Sequence, residues 1–226
     1  MRMWLIAILV GAVWPAGLAP AKAQTVSREA AQASIDSQAA GDQFTLEPGE
    51  TAFLAVHARS GLVCLLDGSD RTWPEVVASP SLPRGDDVAC HDVQSDTVKI
   101  TTYATLLPGI DAALILQGVQ SSIEKLYVAK PYTGLAADMS TDAPALPQTL
   151  RVRYEAIPPQ EFQFPGIEPG EPVYTAVSIA KIGDWVFKQR LTAPLADALK
   201  ADIAGQINWL YTLTTATQRK ADSAPQ

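Results

Sequence analysis

The residues describe an α+β domain: an antiparallel or mixed sheet with a helix after the central strand, a C-terminal amphipathic helix packed on one face, and one disulfide. Three observations carry that expectation. Alternating runs at 97–107, 150–156 and 173–191 read as strands with few helices between them, which disfavours a doubly wound parallel sheet. Leu195, Leu199, Ile203, Ile207 and Leu210 recur at steps of three and four, the period of an amphipathic helix. Two cysteines, Cys64 and Cys90, occur in a chain whose start reads as an export signal.

That start comes first in order. Arg2 is followed by an apolar run over residues 3–13, which Trp14, Pro15 and Gly17 interrupt. Ala21 and Ala23 then place small side chains at −3 and −1 from Gln24. The pattern predicts a Sec-type signal peptide over residues 1–23, cleaved near Ala23/Gln24, and a periplasmic or secreted protein with no transmembrane segment after its removal. The run is short for a bilayer span. In an oxidising compartment an even pair of cysteines defaults to a disulfide, so Cys64 is expected to join Cys90.

Residues 24–43 are rich in Ala and Gln, with Ile35 as the large aliphatic residue; a weak helix opening near Ser27, or a mobile segment, is expected. Residues 44–216 form the single α+β domain. Phe44, Thr45 and Leu46 lead to the turn signal Glu47-Pro48-Gly49-Glu50, and strands follow over 51–59 and 62–66. Residues 71–96 carry Pro74, Pro80, Pro83 and Gly85 and read mostly as loop, with a short strand at 75–78. Residues 97–107 alternate cleanly, and Leu116, Val119, Ile123 and Leu126 then mark a helix over 110–127. Residues 131–148 form a long loop. The 173–191 hairpin turns at Gly183-Asp184, with glycine first as a II′ turn requires. A helix over 194–215 closes the domain, and a disordered polar tail is expected over 217–226.

The chain has 24 acidic against 17 basic residues and a formal net charge of −7. Nucleic acids and anionic membrane surfaces are recognised by Lys and Arg that neutralise phosphate, so neither is expected as a partner. The stretch RGDDVACH (84–91) concentrates the candidate chemistry. Zinc needs paired ligand spacings such as C-x2-C, which are absent, and the Asp-containing turns lack the alternation of a calcium loop. No metal and no cofactor are expected. Gly85 and the carboxylates of Asp86 and Asp87 instead read as a turn that brings Cys90 to its partner, with one carboxylate bonded to nearby backbone N–H groups. Phosphate-cradling glycine loops and a G-x-S-x-G elbow are also absent.

His57 and His91 are the only imidazoles and so the candidate imidazole bases for a Ser-, Thr- or Cys-based site, while a Ser–Lys or carboxylate-pair mechanism stays open because its spacing is spatial rather than sequential. Lys181, Lys188, Arg190, Arg151 and Arg153 fall on C-terminal strands and would make one sheet face basic if they pointed the same way. Trp73, Trp185, Trp209, Phe162, Phe164 and Tyr174 are candidates for core or for an apolar pocket.

The segments SGLVC (60–64), GDDVAC (85–90), TTYAT (101–105) and IAKIGDWVFKQRLT (179–192) resemble a pattern of uncharacterised exported proteins of proteobacteria. The resemblance implies a periplasmic setting and pairing of the two cysteines, and it brings no activity with it. The expectation is an exported, soluble, non-catalytic envelope protein that binds or assists an envelope protein or a small ligand. The alternatives are a cofactor-free hydrolase centred on His57 or His91, and a small-molecule or lipid carrier with an apolar pocket.

Overall fold

The computed structural model describes residues 26–68, 70–137, 146–161, 164 and 166–222. The expected signal peptide, residues 138–145 of the long loop, Phe162 and the last four residues of the tail lie outside them.

The architecture is α+β, as expected. Helix α1 (Arg28–Ser37) leads into a three-stranded antiparallel sheet of β1 (Phe44–Pro48), β2 (Phe53–His57) and β3 (Val63–Leu66). Ser27 caps α1 by accepting the Ala30 N–H at 3.1 Å, and Ala31 and Ile35 are buried beneath it. The single large aliphatic residue of this segment is therefore enough to dock the helix.

A second sheet has seven strands: β4 (Thr72–Val76), β5 (Asp87–Ser95), β6 (Val98–Leu106), β7 (Val128–Pro131), β8 (Leu150–Ile157), β9 (Val173–Ile182) and β10 (Trp185–Pro194). They lie in the order β4-β5-β6-β10-β9-β8-β7, with every neighbouring pair antiparallel. Two meanders thus meet edge to edge, β6 against β10. Helix α2 (Ala112–Leu126) carries the chain from β6 to the far edge, and the second meander returns from there. Both outer strands contain proline, Pro74 in β4 and Pro131 in β7. These positions lack the N–H that an intruding strand would need.

The β9–β10 hairpin pairs Ile182 with Trp185 around Gly183-Asp184, and Gly183 takes φ of 60°. A short 3-10 turn over Leu195–Asp197 then leads to α3 (Ala198–Asp222). That helix runs past the expected boundary at 217. Arg219 pairs with Glu47 at 2.7 Å and Lys220 Nζ donates to the Arg59 carbonyl at 2.7 Å, so the polar residues anchor the last turns to the small sheet.

Helix α3 covers one face of the large sheet, where Trp209 and Leu213 pack with Phe187, Ala180 and Ile182. Helix α2 covers part of the opposite face through Ile123, with Tyr127 just past its last residue, against Tyr154, Val177, Ile179 and Val186. Fully burying a large apolar side chain such as Phe187 contributes about 1.5–3 kcal/mol.

Two expectations need correction. Residues 87–95, expected mostly as loop, form strand β5; its central residues Val88–His91 are buried on both faces, so no polar–apolar alternation marks it. The buried stripe of α3 is Ala198, Ala201, Asp202, Gly205, Gln206, Trp209, Leu213 and Ala216, whereas Leu199, Ile203 and Ile207 face outward at 41–56% exposure. Small residues turn inward because the helix lies close to the sheet: a Cβ on Gly205 would stand 3.0 Å from Leu191 Cδ2.

Candidate functional site

The two cysteines are joined. Cys64 on β3 and Cys90 on β5 have Cα atoms 5.4 Å apart and form the Cys64–Cys90 disulfide. The bond links the small sheet to the large one. Cys90 pairs with Pro74 on β4 and Thr102 on β6, so the disulfide joins two strands where the sequence suggested a strand and a loop. Gly85 has φ of 87°, and a Cβ there would collide with the Gln43 side chain, so the approach to β5 requires glycine. The expected carboxylate-to-backbone bonds are not what holds this turn. Asp86 pairs with Arg59 at 2.6 Å, and Asp87 accepts the Thr105 hydroxyl at 2.8 Å.

His57 closes its own turn. The segment Ala58-Arg59-Ser60-Gly61 reverses the chain between β2 and β3, with Gly61 N–H donating to the His57 carbonyl at 2.8 Å. Ser60 Oγ lies 2.8 Å from His57 Nδ1, and the Ser60 N–H donates to the same nitrogen at 3.3 Å. Nδ1 is therefore an acceptor and the ring proton sits on Nε2, which is buried with no hydrogen-bond partner among the described residues. Phe44 and Trp185 flank the ring at 5.5 and 5.4 Å. Burial first, then the Arg59 charge, push the imidazole down to about 4. Both His57 and Ser60 are buried, so this Ser–His pair meets no solvent.

His91 has more of the geometry of a catalytic line. Its Nε2 is 2.5 Å from Glu75 Oε2 and its Nδ1 is 3.2 Å from Thr101 Oγ1, while Trp73 stacks on the ring at 4.9 Å. Strand register explains the alignment, because Trp73, His91 and Thr101 sit directly opposite one another on β4, β5 and β6. Burial pushes the imidazole down and Glu75 opposes it. Hydroxyl, imidazole and carboxylate are thus in order, but Thr101 is only 6% exposed and His91 9%. No group of three or more His, Cys, Asp or Glu side chains is placed to hold a metal among the described residues.

The expected basic face is divided by the pleat. Arg151 and Arg153 point toward α3 and converge on Asp202, at 2.6 and 3.3 Å, where Tyr174 Oη also donates to the carboxylate at 2.5 Å. Asp202 Oδ2 accepts the Ala137 N–H at 2.9 Å, and Arg153 donates to the Ala137 carbonyl at 2.6 Å. The arginines therefore clamp the start of the long loop onto α3. Burial pushes the Asp202 carboxyl up, but the Tyr174 hydroxyl and the two guanidiniums outweigh it and hold it below the usual range.

Sequence reasoning missed a concavity beside α3. A cleft of about 390 Å3 opens between α3, β3 and the β5–β6 end of the large sheet. Val63, Leu65, Ile207 and Tyr211 form apolar walls, and Cys90 contributes to the lining. Asp92, Thr102 and Asn208 add the polar groups. Asn208 Nδ2 donates to Asp92 Oδ2 at 3.2 Å, and its Oδ1 accepts from Gln189 at 2.9 Å, so the amide is locked by strand and helix together. Burial pushes the Asp92 carboxyl up, against hydrogen bonds from Gln94 and Asn208. Such a site suits a ligand with an apolar body and one donor group. The signal available in the sequence was the polar pair Asp92 and Asn208 within apolar surroundings, but it depends on a contact 116 residues apart.

No protein-family model and no curated protein matches the chain. Among solved structures it is similar to the crystal structure of LpqN, involved in cell envelope biogenesis of Mycobacterium tuberculosis. Identity is 13% over 76% of this chain and 75% of that one, with a TM-score of 0.29. A score that low does not establish a shared fold.

Proposed function

We propose that this is an exported, non-catalytic binding protein of the bacterial envelope that holds a small, mainly apolar ligand between α3 and the sheet. The observation that carries the reading is the 390 Å3 cleft, a volume within the range of small-molecule sites, with Asp92 and Asn208 already oriented inside it. The outward stripe of α3 supports it as well, because Ile207 and Tyr211 continue into the cleft wall rather than ending on bare surface. The Cys64–Cys90 bond supports an oxidising, periplasmic or secreted setting. Catalysis at either histidine has less support, since neither imidazole lines this cleft.

The neutral dye N-phenyl-1-naphthylamine tests the binding reading. Its fluorescence should rise saturably with one site per chain, and Ala204→Phe, which places a ring in the cleft, should weaken it at least tenfold. No saturable rise, or an unchanged rise in A204F, rejects the reading. For the setting, intact mass of the full chain expressed in a bacterium should show loss of residues 1–23 and resistance to alkylation without reductant. A full-length chain with two free thiols rejects export.

A further inference from the structure

The opposite face of the large sheet carries a second cleft, of about 460 Å3, between α2 and strands β6 and β10. One wall is the α2 edge on which Leu114, Gly118, Ser122 and Leu126 stand four residues apart, hence one above another. Leu114 and Leu126 are 58% and 53% exposed. The other side is cationic and aromatic. Lys188 Nζ stands 4.4 Å from the Tyr103 ring centroid, and Arg190 lies over Tyr127 while donating to its hydroxyl at 2.5 Å.

Two features set this cleft apart from ordinary surface. First, Lys188 and Arg190 are half-buried, and neither has a carboxylate within ion-pair distance among the described residues of an acidic protein. Asp87 lies near enough to favour the charged ammonium but is bonded to Thr105 instead. Half-buried cations normally recover their lost hydration from an anion. Second, Gly118 sits inside α2, where glycine costs about 1 kcal/mol relative to alanine. A Cβ there would meet nothing within 4 Å, so no neighbouring atom in the structure requires the glycine. Its effect is to leave the cleft wall open.

We propose that this second cleft binds a single-chain amphiphile with an anionic head, the head against Lys188 and Arg190 and the chain along Leu114, Gly118 and Leu126. The site is separate from the α3 cleft: it lies across the sheet and shares no lining residue with it. Its charge is opposite, cations here against Asp92 there, so the two clefts select different ligands.

Decanoate, below its aggregation concentration, is the probe. Calorimetry on the protein as purified after expression in a bacterium, with its disulfide intact, should give saturable one-to-one binding, with amide shifts concentrated in α2, β6 and β10. Decyltrimethylammonium and inorganic phosphate at the same concentrations should bind at least tenfold more weakly. Lys188→Met should cost at least tenfold for decanoate. Gly118→Leu should do the same by filling the cleft, whereas Gly118→Ala should raise the Tm and weaken binding by less. If Gly118→Leu does not fold, Gly118→Ala and Lys188→Met carry the test. The proposal is overturned by equal binding of the cationic amphiphile, by phosphate binding as tightly as decanoate, by decanoate binding unchanged in both Lys188→Met and the Gly118 variants, or by shifts centred on Asp92 and Asn208. Ala204→Phe should leave decanoate unaffected, so failure of the α3 cleft and failure of this one are read separately.

Discussion

At the scale of single residues, the buried charges and imidazoles decide how stability responds to mutation and acid. Asp202 is fully buried and neutralises two arginines that are 12% and 21% exposed at the side chain. Asp202→Asn keeps the shape but strands both guanidiniums, and an uncompensated buried charge costs about 3–5 kcal/mol. Urea unfolding should show that loss, and a change below 1 kcal/mol would mean that the cluster is open to water. His57 acts through protonation. Its folded-state value near 4 lies below the ordinary 6.5, so between those values the unfolded chain takes up a proton that the native one refuses. This contribution is complete above about pH 6.5 and is lost as the pH falls toward 4, on the order of 3 kcal/mol. His91, also pushed down, acts with the same sign. His57→Phe should flatten the dependence of unfolding free energy on pH in that window. An unchanged slope would reject the assignment.

At the scale of elements, what the sequence disclosed depended on whether one face differed from the other. The β9–β10 hairpin was legible because Gly183-Asp184 has one favoured turn geometry between two alternating runs. Helix α3 was legible as a helix but not in its facing. The aliphatic stripe at 199, 203 and 207 has the right period, yet the close approach to the sheet admits only Ala201 and Gly205 at those heights. The consequence is measurable. Ile203→Gln should shift stability by no more than about 0.5 kcal/mol, while Ala201→Leu should cost about 1–3 kcal/mol through overpacking. The reverse order would put the aliphatic stripe in the core. Strand β5 carries no such contrast because its central residues Val88–His91 are buried on both faces, which removes the alternation that marks a strand. The candidate clefts were hidden for a related reason: Asp92 with Asn208, and Lys188 with Gly118, are brought together only by tertiary packing.

At the scale of the whole molecule, the two sheets and three α-helices of the described residues are held by three clusters of buried apolar side chains and by the Cys64–Cys90 bond. The Cys64–Cys90 bond spans a sequence separation of 26 residues, for which the chain-entropy treatment gives about 3–4 kcal/mol. Cys64→Ala combined with Cys90→Ala should lower the urea midpoint accordingly while the far-ultraviolet dichroism of the native state persists. Loss of the β signal in that variant would show that the small sheet cannot dock without the bond. Among the described residues no helix is long and apolar enough to cross a membrane.

The meeting of β6 with β10 also sets an order of assembly. Residues 26–106 supply the whole small sheet, both cysteines and the first meander, so the covalent link can close while half the chain is still to come. Until residues 185–194 arrive, however, β6 presents an unoccupied hydrogen-bonding edge flanked by Ile100 and Ala104. Unlike β4 and β7, that edge has no proline to protect it. A chain interrupted before β10 is thus an incomplete sheet with an adhesive margin, for which any extended segment with free N–H and C=O groups is a substitute partner.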